Sequence, residues 1–168
     1  MGAAVHMICG APAAGKTTYS DALADRLGGV RFSVDEWMHT LFAPDAPQPM
    51  TPAWMWERFS RCEAQIVATA LACARRGCPP LLDIGFIRRD QRERVAQRVR
   101  AAGLSCELHW LDVDREERWR RTTDRNAAKG ATYSFEVTRP MFDYIETIYE
   151  PPTPGELAEL NGARVGGS

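Results

Sequence analysis

The sequence has no marked excess of charge of either sign. Its 168 residues include 21 Lys and Arg and 22 Asp and Glu, and the formal net charge is −1 at pH 7. General nucleic-acid binders usually carry a basic excess that neutralises phosphates. The composition therefore argues against nucleic acid as the main partner and leaves open only a local basic patch.

Long apolar runs are also absent from the sequence. No stretch approaches the roughly 18 consecutive apolar residues that a membrane-spanning helix needs. The N-terminus lacks a charged region followed by an apolar signal segment. The five cysteines are odd in number and match no zinc-binding spacing. We therefore expect reduced thiols in a cytoplasmic protein without a membrane partner, and the sequence leaves the oligomeric state open.

Strand-like and helix-like segments alternate along the chain. Short apolar runs predict strands, and longer stretches bounded by Gly or Pro predict helices. The predicted strands are residues 5–9, 30–34, 81–84 and 106–111, with 163–165 as a candidate fifth; the predicted helices are 16–27, 36–42, 52–76, 89–102, 114–126 and one from a cap at Ser134 to residue 149. This order predicts a single α/β domain over residues 1–168, a parallel sheet flanked by helices. Ligands of such sheets bind at the carboxyl ends of the strands.

One segment has the pattern of a phosphate-binding loop. Residues 10–17 match Gly-x-x-x-x-Gly-Lys-Thr without a mismatch, between a predicted strand and a predicted helix. Gly10 and Gly15 permit backbone angles and a close approach that a Cβ would block, and inward-facing N–H groups at a helix N-terminus attract phosphate. Lys16 can reach the β- and γ-phosphates, and the Thr17 hydroxyl can ligate Mg²⁺. We predict that ATP and Mg²⁺ bind at Gly10, Ala11, Pro12, Ala13, Ala14, Gly15, Lys16, Thr17 and Thr18.

Three further short motifs accompany the loop. They are Ser33-Val34-Asp35-Glu36, Leu82-Asp83-Ile84-Gly85-Phe86, and the arginines Arg121 and Arg125 with Asn126. Together with the loop they resemble the small P-loop kinases, in particular the zeta-toxin, chloramphenicol-phosphotransferase and polynucleotide-kinase-like group. The resemblance covers most of the chain and implies a nucleoside-kinase-like sheet, a mobile lid and transfer of the γ-phosphate of ATP to a hydroxyl. It does not fix the acceptor, since this group phosphorylates antibiotics, sugars, nucleotide sugars and nucleic-acid ends.

Two carboxylates follow predicted strands. Asp35 comes after the second strand, where a kinase needs a base for the proton of the attacking hydroxyl, and the resemblance implies the same role. Alternatively Asp35 caps the next helix, and its neighbour Glu36 could share its role or assist Mg²⁺ through water. Asp83 follows the middle strand and can hold the Mg²⁺ water shell, bind the acceptor hydroxyl, or simply be a buried Asp bonded to loop amides. The sequence does not decide which of the two is the base.

An arginine-rich segment follows the fourth predicted strand. Arg118, Arg121 and Arg125 recur at helical spacing within a stretch that is polar on every side. We predict a lid over about residues 114–133 that places cations over the γ-phosphate and closes through the loop at Gly130. The alternative is a solvated helix crossed by weak ion pairs. Arg121 and Arg125 match the pattern of the kinases that the chain resembles, whereas Arg118 does not. The candidate catalytic residues are therefore Lys16, Asp35, Arg121 and Arg125, with Arg125 also contacting ATP and with Thr17 and Asp83 as metal ligands.

Two groups of side chains are candidates for acceptor contacts. Arg88, Arg89 and Arg92 follow Asp83 and could contact a phosphate or the acceptor, or be solvated. Ring-bearing residues around a proline-rich loop could form an acceptor wall, with core packing as the plainer explanation. They are Trp37, His39, Phe42, Trp54, Trp56 and Phe59.

The sequence as a whole predicts an ATP-dependent kinase acting on a hydroxyl of a small molecule such as an antibiotic, a sugar or a nucleotide-like compound. One alternative is a polynucleotide 5′-hydroxyl kinase, which predicts a basic groove that the net charge argues against. The other is a non-enzymatic ATP-binding regulatory protein, against which Asp35, Asp83 and the arginines argue.

Overall fold

The computed structural model describes residues 2–128 and 137–166. Strands and helices alternate along most of this chain. The strands are β1 (Val5–Cys9), β2 (Val30–Ser33), β3 (Pro80–Asp83), β4 (Cys106–Leu111) and β5 (Ala163–Val165). The helices are α1 (Lys16–Leu27), α2 (Val34–Phe42), α3 (Pro52–Arg75), α4 (Arg89–Ala101), α5 (Arg115–Ala128), α6 (Arg139–Ile148) and α7 (Pro154–Glu159), with a 3₁₀ turn at Ala43–Asp45.

The strands form one parallel sheet in the order β2-β3-β1-β4-β5. This confirms the predicted α/β architecture, including the candidate fifth strand. Met7 of β1 is in register with Leu82 of β3, and Ser33 of β2 is in register with Asp83. The carboxyl ends of these three strands therefore lie at the same edge of the sheet, which is where ligands bind in open α/β folds.

Both faces of the sheet are covered by helices. On one face, Leu23 of α1 packs against Ile8, Leu81 and Leu111. On the other face, a larger cluster joins strand residues to α3 and α4; its members include Met7, Leu82, Leu108, Ile66, Val67, Val95 and Val99. Every residue of β1 and β3 is buried, as expected for parallel strands covered on both sides.

Side-chain caps fix the beginnings of two of the helices next to the predicted site. The Ser33 hydroxyl accepts a hydrogen bond from the Glu36 N–H, so that α2 begins at Val34. Thr51 caps α3 as the sequence predicts, accepting from the Trp54 N–H. Helix α6 begins at Arg139, later than predicted, and the predicted cap at Ser134 and the predicted lid loop at Gly130 lie outside the described residues.

Arg92 is a structural residue, and the hypothesis that it contacts a phosphate or the acceptor is wrong. Its side chain is fully buried on α4 and forms a two-pronged ion pair with Glu156 of α7, with N···O distances of 2.5 and 3.0 Å. Its remaining nitrogen donates to the carbonyl oxygens of Phe86 and Glu150. This one guanidinium therefore ties α4 and α7 to the turn that follows Asp83.

Among residues 2–128 and 137–166, no helix combines the length and apolar character needed to cross a membrane. All five cysteines are free thiols, and Cys9, Cys62 and Cys106 are buried.

Glu156→Gln should lower the free energy of unfolding by about 3 kcal/mol, because it leaves the buried Arg92 charge without its partner. Glu159→Gln is the matched control on the same helix. Glu159 pairs with Arg100 at the surface, so its loss should change stability by less than about 0.5 kcal/mol. Urea denaturation of both variants measures the difference, and equal losses would contradict the structural role of Arg92.

Candidate active site

The loop between β1 and α1 is a tight turn closed by a hydrogen bond within its own backbone. The Ala14 N–H donates to the Ala11 carbonyl oxygen at 3.2 Å, and Ala13 and Gly15 both have positive φ, at 61° and 91°. Left-handed residues alternating with right-handed ones turn successive N–H groups toward one centre, which makes an anion-binding concavity. The loop therefore has the shape that its glycine pattern predicts.

Gly10 is required by close packing. A Cβ at this position would lie 2.9 Å from the Leu111 carbonyl oxygen at the end of β4 and 3.2 Å from the Ala14 side chain. Leu111 is backbone-fixed in the sheet, so that neither neighbour can move away cheaply. The first glycine thus lets the phosphate loop rest directly on the neighbouring strand.

Lys16 lies at the first position of α1, with its side chain folded back over the loop. Its ammonium donates to the carbonyl oxygens of Gly10 and Ala11 at 2.9 and 3.1 Å. Burial lowers the pKa of Lys16, and the nearby Asp83 carboxylate opposes that shift. Within the described chain no carboxylate forms an ion pair with this ammonium, which leaves its charge available to an anion in the loop.

Thr17 and Asp83 meet across the carboxyl ends of β1 and β3. The Thr17 hydroxyl donates to the Asp83 carboxylate at 3.2 Å, and Arg31 of β2 donates to the same oxygen at 3.3 Å. A hydroxyl and a carboxylate oxygen this close together suit a hard divalent cation such as Mg²⁺. The residues present therefore fit a magnesium ion beside the phosphate loop.

The charge state of Asp83 is set by opposing influences. Burial raises the pKa of the Asp83 carboxyl, and the neighbouring charges of Lys16 and Arg31 lower it, while the Asp35 carboxylate raises it. The Asp35 carboxylate also raises the pKa of Lys16. The charges of Lys16, Arg31, Asp35 and Asp83 therefore act on one another at this edge of the sheet.

Asp35 is exposed in the first turn of α2. Ser33, and not Asp35, caps this helix, so the capping alternative is wrong. No described residue forms a hydrogen bond or ion pair with the Asp35 carboxylate. Its neighbour Glu36 is instead engaged by Arg31, which separates the roles of the two adjacent acids.

Arg118 is buried between α5 and α6, although the sequence of its helix is polar on every side. It donates to both oxygens of Glu146 at 2.6 and 2.8 Å and to the Val113 carbonyl oxygen. Trp119 packs edge-on against Phe142 across the same contact. Helices α5 and α6 are therefore fastened together, and Arg118 is committed to that contact.

Arg121 faces the phosphate loop. Its Nη1 lies 3.7 Å from the point that a Cβ on Gly15 would occupy, and its Nε is held by Glu117 at 2.8 Å. The hydrogen bonds of Arg120 and Arg121 lower the pKa of Glu117 to about 2, so this acid stays ionised and continues to orient Arg121.

Arg125 lies one turn further along α5. Among the described residues its buried Nε has no hydrogen-bond partner. The adjacent Asn126 exchanges two hydrogen bonds with the backbone of Val137. The end of α5 is thus attached to the segment that leads into α6.

An open cleft of about 480 Å³ adjoins the phosphate loop. Its lining is mainly apolar, which suits the flat ring of a nucleotide base. The residues around it come from the loop, α1, the ends of β4 and β5, and α5: Ala14, Gly15, Thr18, Tyr19, Ala22, Leu111, Val113, Arg121, Val165 and Gly166. The cleft therefore continues the predicted ATP site away from Asp35 and Asp83.

The parallel sheet and the phosphate loop together define an α/β P-loop fold of the kind found in P-loop kinases. A family model described as an AAA domain matches residues 5–152, and the chain belongs to that family. None of the curated proteins compared with the chain matches it.

Solved structures share this fold at low sequence identity. A sugar kinase from Janibacter sp. HTCC2649 is 16% identical over 97% of this chain and 84% of its own, with a TM-score of 0.65. The APS kinase of Mycobacterium tuberculosis, in complex with AMPPNP and APS, is 17% identical over 98% and 88%, with a TM-score of 0.66. A gluconokinase from Sinorhizobium meliloti 1021 is 13% identical over 96% and 81%, with a TM-score of 0.62.

Sequence reasoning missed Arg31 as part of the site. It forms ion pairs with Asp21, Glu36 and Asp83, and so helps to position the carboxylates around the Thr17–Asp83 contact. The available signal was its place two residues before the end of β2, but only the pairing of β2 with β3 shows which carboxylate it reaches.

Arg118→Ala and Arg121→Ala should show that one arginine of α5 stabilises the fold and that the other does not. The first should lower the free energy of unfolding by about 3 kcal/mol, because Glu146 loses its buried partner. The second should change it by less than about 0.5 kcal/mol, because Arg121 forms only an exposed pair with Glu117. Thermal and urea unfolding measure both values; a larger loss for Arg121 would show that it is the structural arginine.

Proposed function

We propose that the protein is an ATP-dependent kinase that transfers the γ-phosphate of ATP to a hydroxyl of a small molecule. The observation that carries the proposal is the exposed Asp35 carboxylate, which none of the described residues engages. It is near enough to Lys16 of the phosphate loop and to Asp83 for its charge to raise the pKa of both. A protein that only binds a nucleotide needs the loop and the metal ligands. A free carboxylate at the same edge of the sheet is what a hydroxyl acceptor requires in addition.

ATP is the phosphate donor in this proposal. The backbone N–H groups of residues 10–18, apart from Pro12, which has none, surround the β- and γ-phosphates. Lys16 moves its ammonium from the loop carbonyls to phosphate oxygens. The base occupies the apolar cleft beside Thr18. The Nε of Arg125, which has no hydrogen-bond partner among residues 2–128 and 137–166, supplies a further donor to the nucleotide.

Thr17 and Asp83 would hold Mg²⁺, whose positive charge supplies electrostatic stabilisation to the phosphoryl group during transfer. Arg31 donates to the Asp83 carboxylate and, with Lys16, opposes the rise in its pKa that burial causes. Binding of Asp83 to Arg31 also leaves Asp35 as the carboxylate that is free to accept a proton.

Asp35 acts as the general base. It orients the acceptor hydroxyl and takes its proton while the hydroxyl oxygen forms a bond to the γ-phosphorus. The bond from that phosphorus to the β–γ bridging oxygen breaks, and ADP leaves with the bonding electrons. The products are the phosphorylated acceptor, ADP and a proton held by Asp35.

Arg121 and Arg125 act on the charge that redistributes in the transition state. Arg121 already faces Gly15, and Glu117 holds its orientation. Residues 114–133 would serve as the lid of a single kinase domain over residues 1–168, and the ion pair of Arg118 with Glu146 joins α5 of this lid to α6. Residues 129–133 of this lid lie outside the described chain.

A small hydroxyl compound is the preferred acceptor class. Structures of similar fold include a sugar kinase, a gluconokinase and an APS kinase, and the net charge of −1 offers little general attraction for a polynucleotide. Trp37, on the same helix as Asp35 and partly buried against the core, is near enough in sequence to contribute an apolar wall for the acceptor.

A screen with ATP labelled at the γ-phosphate tests the function directly. Sugars, sugar acids, nucleosides and antibiotics with free hydroxyls are the test acceptors, and an oligonucleotide with a 5′-hydroxyl is the comparison. We expect Mg²⁺-dependent label in a small acceptor and none in the oligonucleotide. Efficient labelling of the oligonucleotide alone would replace the proposal with polynucleotide kinase activity, and tight ATP binding without transfer to any acceptor would favour a regulatory nucleotide binder.

Asp35→Asn and Asp83→Asn should fail in different ways. Asp35→Asn keeps the side-chain shape but removes the proton acceptor, so transfer should fall by roughly 10²–10⁴ with ATP affinity nearly unchanged. Asp83→Asn should raise the Mg²⁺ concentration needed for the half-maximal rate, because one metal ligand loses its charge. Steady-state rates over a Mg²⁺ series and calorimetric ATP affinities separate the two effects.

Glu36→Gln is the control for Asp35→Asn, since Glu36 is the adjacent acid and already pairs with Arg31. It should retain transfer within about threefold if Asp35 is the base. Near-normal transfer by Asp35→Asn, together with loss of transfer by Asp83→Asn at saturating Mg²⁺, would assign the base to Asp83 instead.

A further inference from the structure

Two histidines and a glutamate form a compact cluster on the face of the sheet that α1 covers. His6 lies on β1, and Glu107 and His109 lie on the adjacent β4, with His6 in register with Glu107. His6 Nδ1 is 3.1 Å from His109 Nε2. One Glu107 oxygen, Oε2, is 3.5 Å from the first nitrogen and 4.0 Å from the second.

These three separations define a place for a metal ion. In the plane of the two nitrogens and the oxygen, the point equidistant from all three atoms lies about 2.1 Å from each of them. Zinc is bound by histidine nitrogen and carboxylate oxygen at about 2.0–2.2 Å. The three potential ligands are thus already spaced for an ion between them, without a rearrangement of the strands that carry them.

A neighbouring side chain orients one of the ligands. The Tyr19 hydroxyl of α1 lies 2.8 Å from Nδ1 of His109, the ring nitrogen on the side away from His6. Histidines that bind metals usually engage their second nitrogen in such a hydrogen bond, which fixes the tautomer and the ring orientation. Tyr19 therefore directs Nε2 of His109 toward the cluster.

The cluster is sheltered and yet open on one side. The side chains of His6 and His109 are 8% and 13% exposed, whereas that of Glu107 is 44% exposed. An ion can approach from the glutamate side, and a water can fill the remaining coordination position. The carboxylate also supplies the only negative charge among these three groups, which partly offsets the charge of the ion.

We propose that His6, Glu107 and His109 form a binding site for a divalent transition-metal ion, with Zn²⁺ as its best-fitting occupant. Two imidazoles and one carboxylate with a free position are a ligand set that zinc accepts, whereas Mg²⁺ prefers oxygen ligands alone. The site joins β1 to β4 beneath α1 and is separate from the Thr17–Asp83 position. The inference does not depend on the kinase proposal.

The competing explanation is a hydrogen bond between two neutral imidazoles. Burial and the nearby His6 and Arg26 lower the pKa of His109 to about 4, so the ring is uncharged at neutral pH under either explanation. The hydrogen-bond explanation involves only His6 and His109, whereas the metal explanation also requires the Glu107 carboxylate. Removal of that carboxylate is therefore the informative change.

The test is a zinc titration of chelator-treated, full-length protein without nucleotide. Calorimetry against a competing chelator should show one Zn²⁺ per chain with micromolar or tighter affinity. Glu107→Gln should weaken this affinity by more than about tenfold, and the half-exposed position of Glu107 makes this variant tolerable to the fold. His39→Gln is the control, because His39 is an exposed histidine on α2, and its zinc affinity should equal that of the unmodified chain.

Cobalt identifies the ligands. Co²⁺ bound at this site should give visible bands without the near-ultraviolet band of a thiolate ligand, and Glu107→Gln should change those bands. Zinc should also raise the midpoint of thermal unfolding of the unmodified chain more than that of Glu107→Gln. Absence of zinc binding, unchanged affinity in Glu107→Gln, or a thiolate band from one of the five cysteines would each overturn the proposal.

Discussion

The in-register parallel pairing of β1, β2 and β3 is the constraint on which the site depends. Because these strands point the same way and end together, the segments that leave them meet at one edge of the sheet. Thr17 then reaches Asp83, and α2 presents Asp35 beside them. A one-residue shift of β3 would send the Asp83 carboxylate to the opposite face, and Thr17 and Arg31 would lose their common partner.

Charged residues around this edge divide into two groups. Arg92 and Arg118 are buried and each is matched by a two-pronged carboxylate partner. In such pairs the mutual attraction offsets the cost of desolvating both charges, and neither charge is available to a ligand. Lys16 and Asp35 form no ion pair in the described chain, and in our proposal a phosphate and an acceptor hydroxyl are their partners.

Helix α1 connects the two sites that we propose. Its first turn carries Lys16 and Thr17, whereas Tyr19 in the next turn both lines the cleft beside the loop and contacts His109. Gly10 at the other end of the loop rests on Leu111, which belongs to the same strand as His109. The phosphate loop therefore packs against the end of β4 and continues directly into α1. A metal joining β1 to β4 would stabilise the strands on either side of this contact.

The sequence by itself determined the features that depend on local backbone chemistry. The loop follows from Gly10, Gly15, Lys16 and Thr17, and the order of strands and helices follows from periodicity and caps, because these signals act over a few residues. Only the tertiary structure decided which distant residues become neighbours: Arg31 with Asp83, Arg118 with Glu146, and His6 with His109. The order and register of the strands place these pairs together, and those are set by the burial of the whole sheet between its helices, which no short stretch of sequence contains.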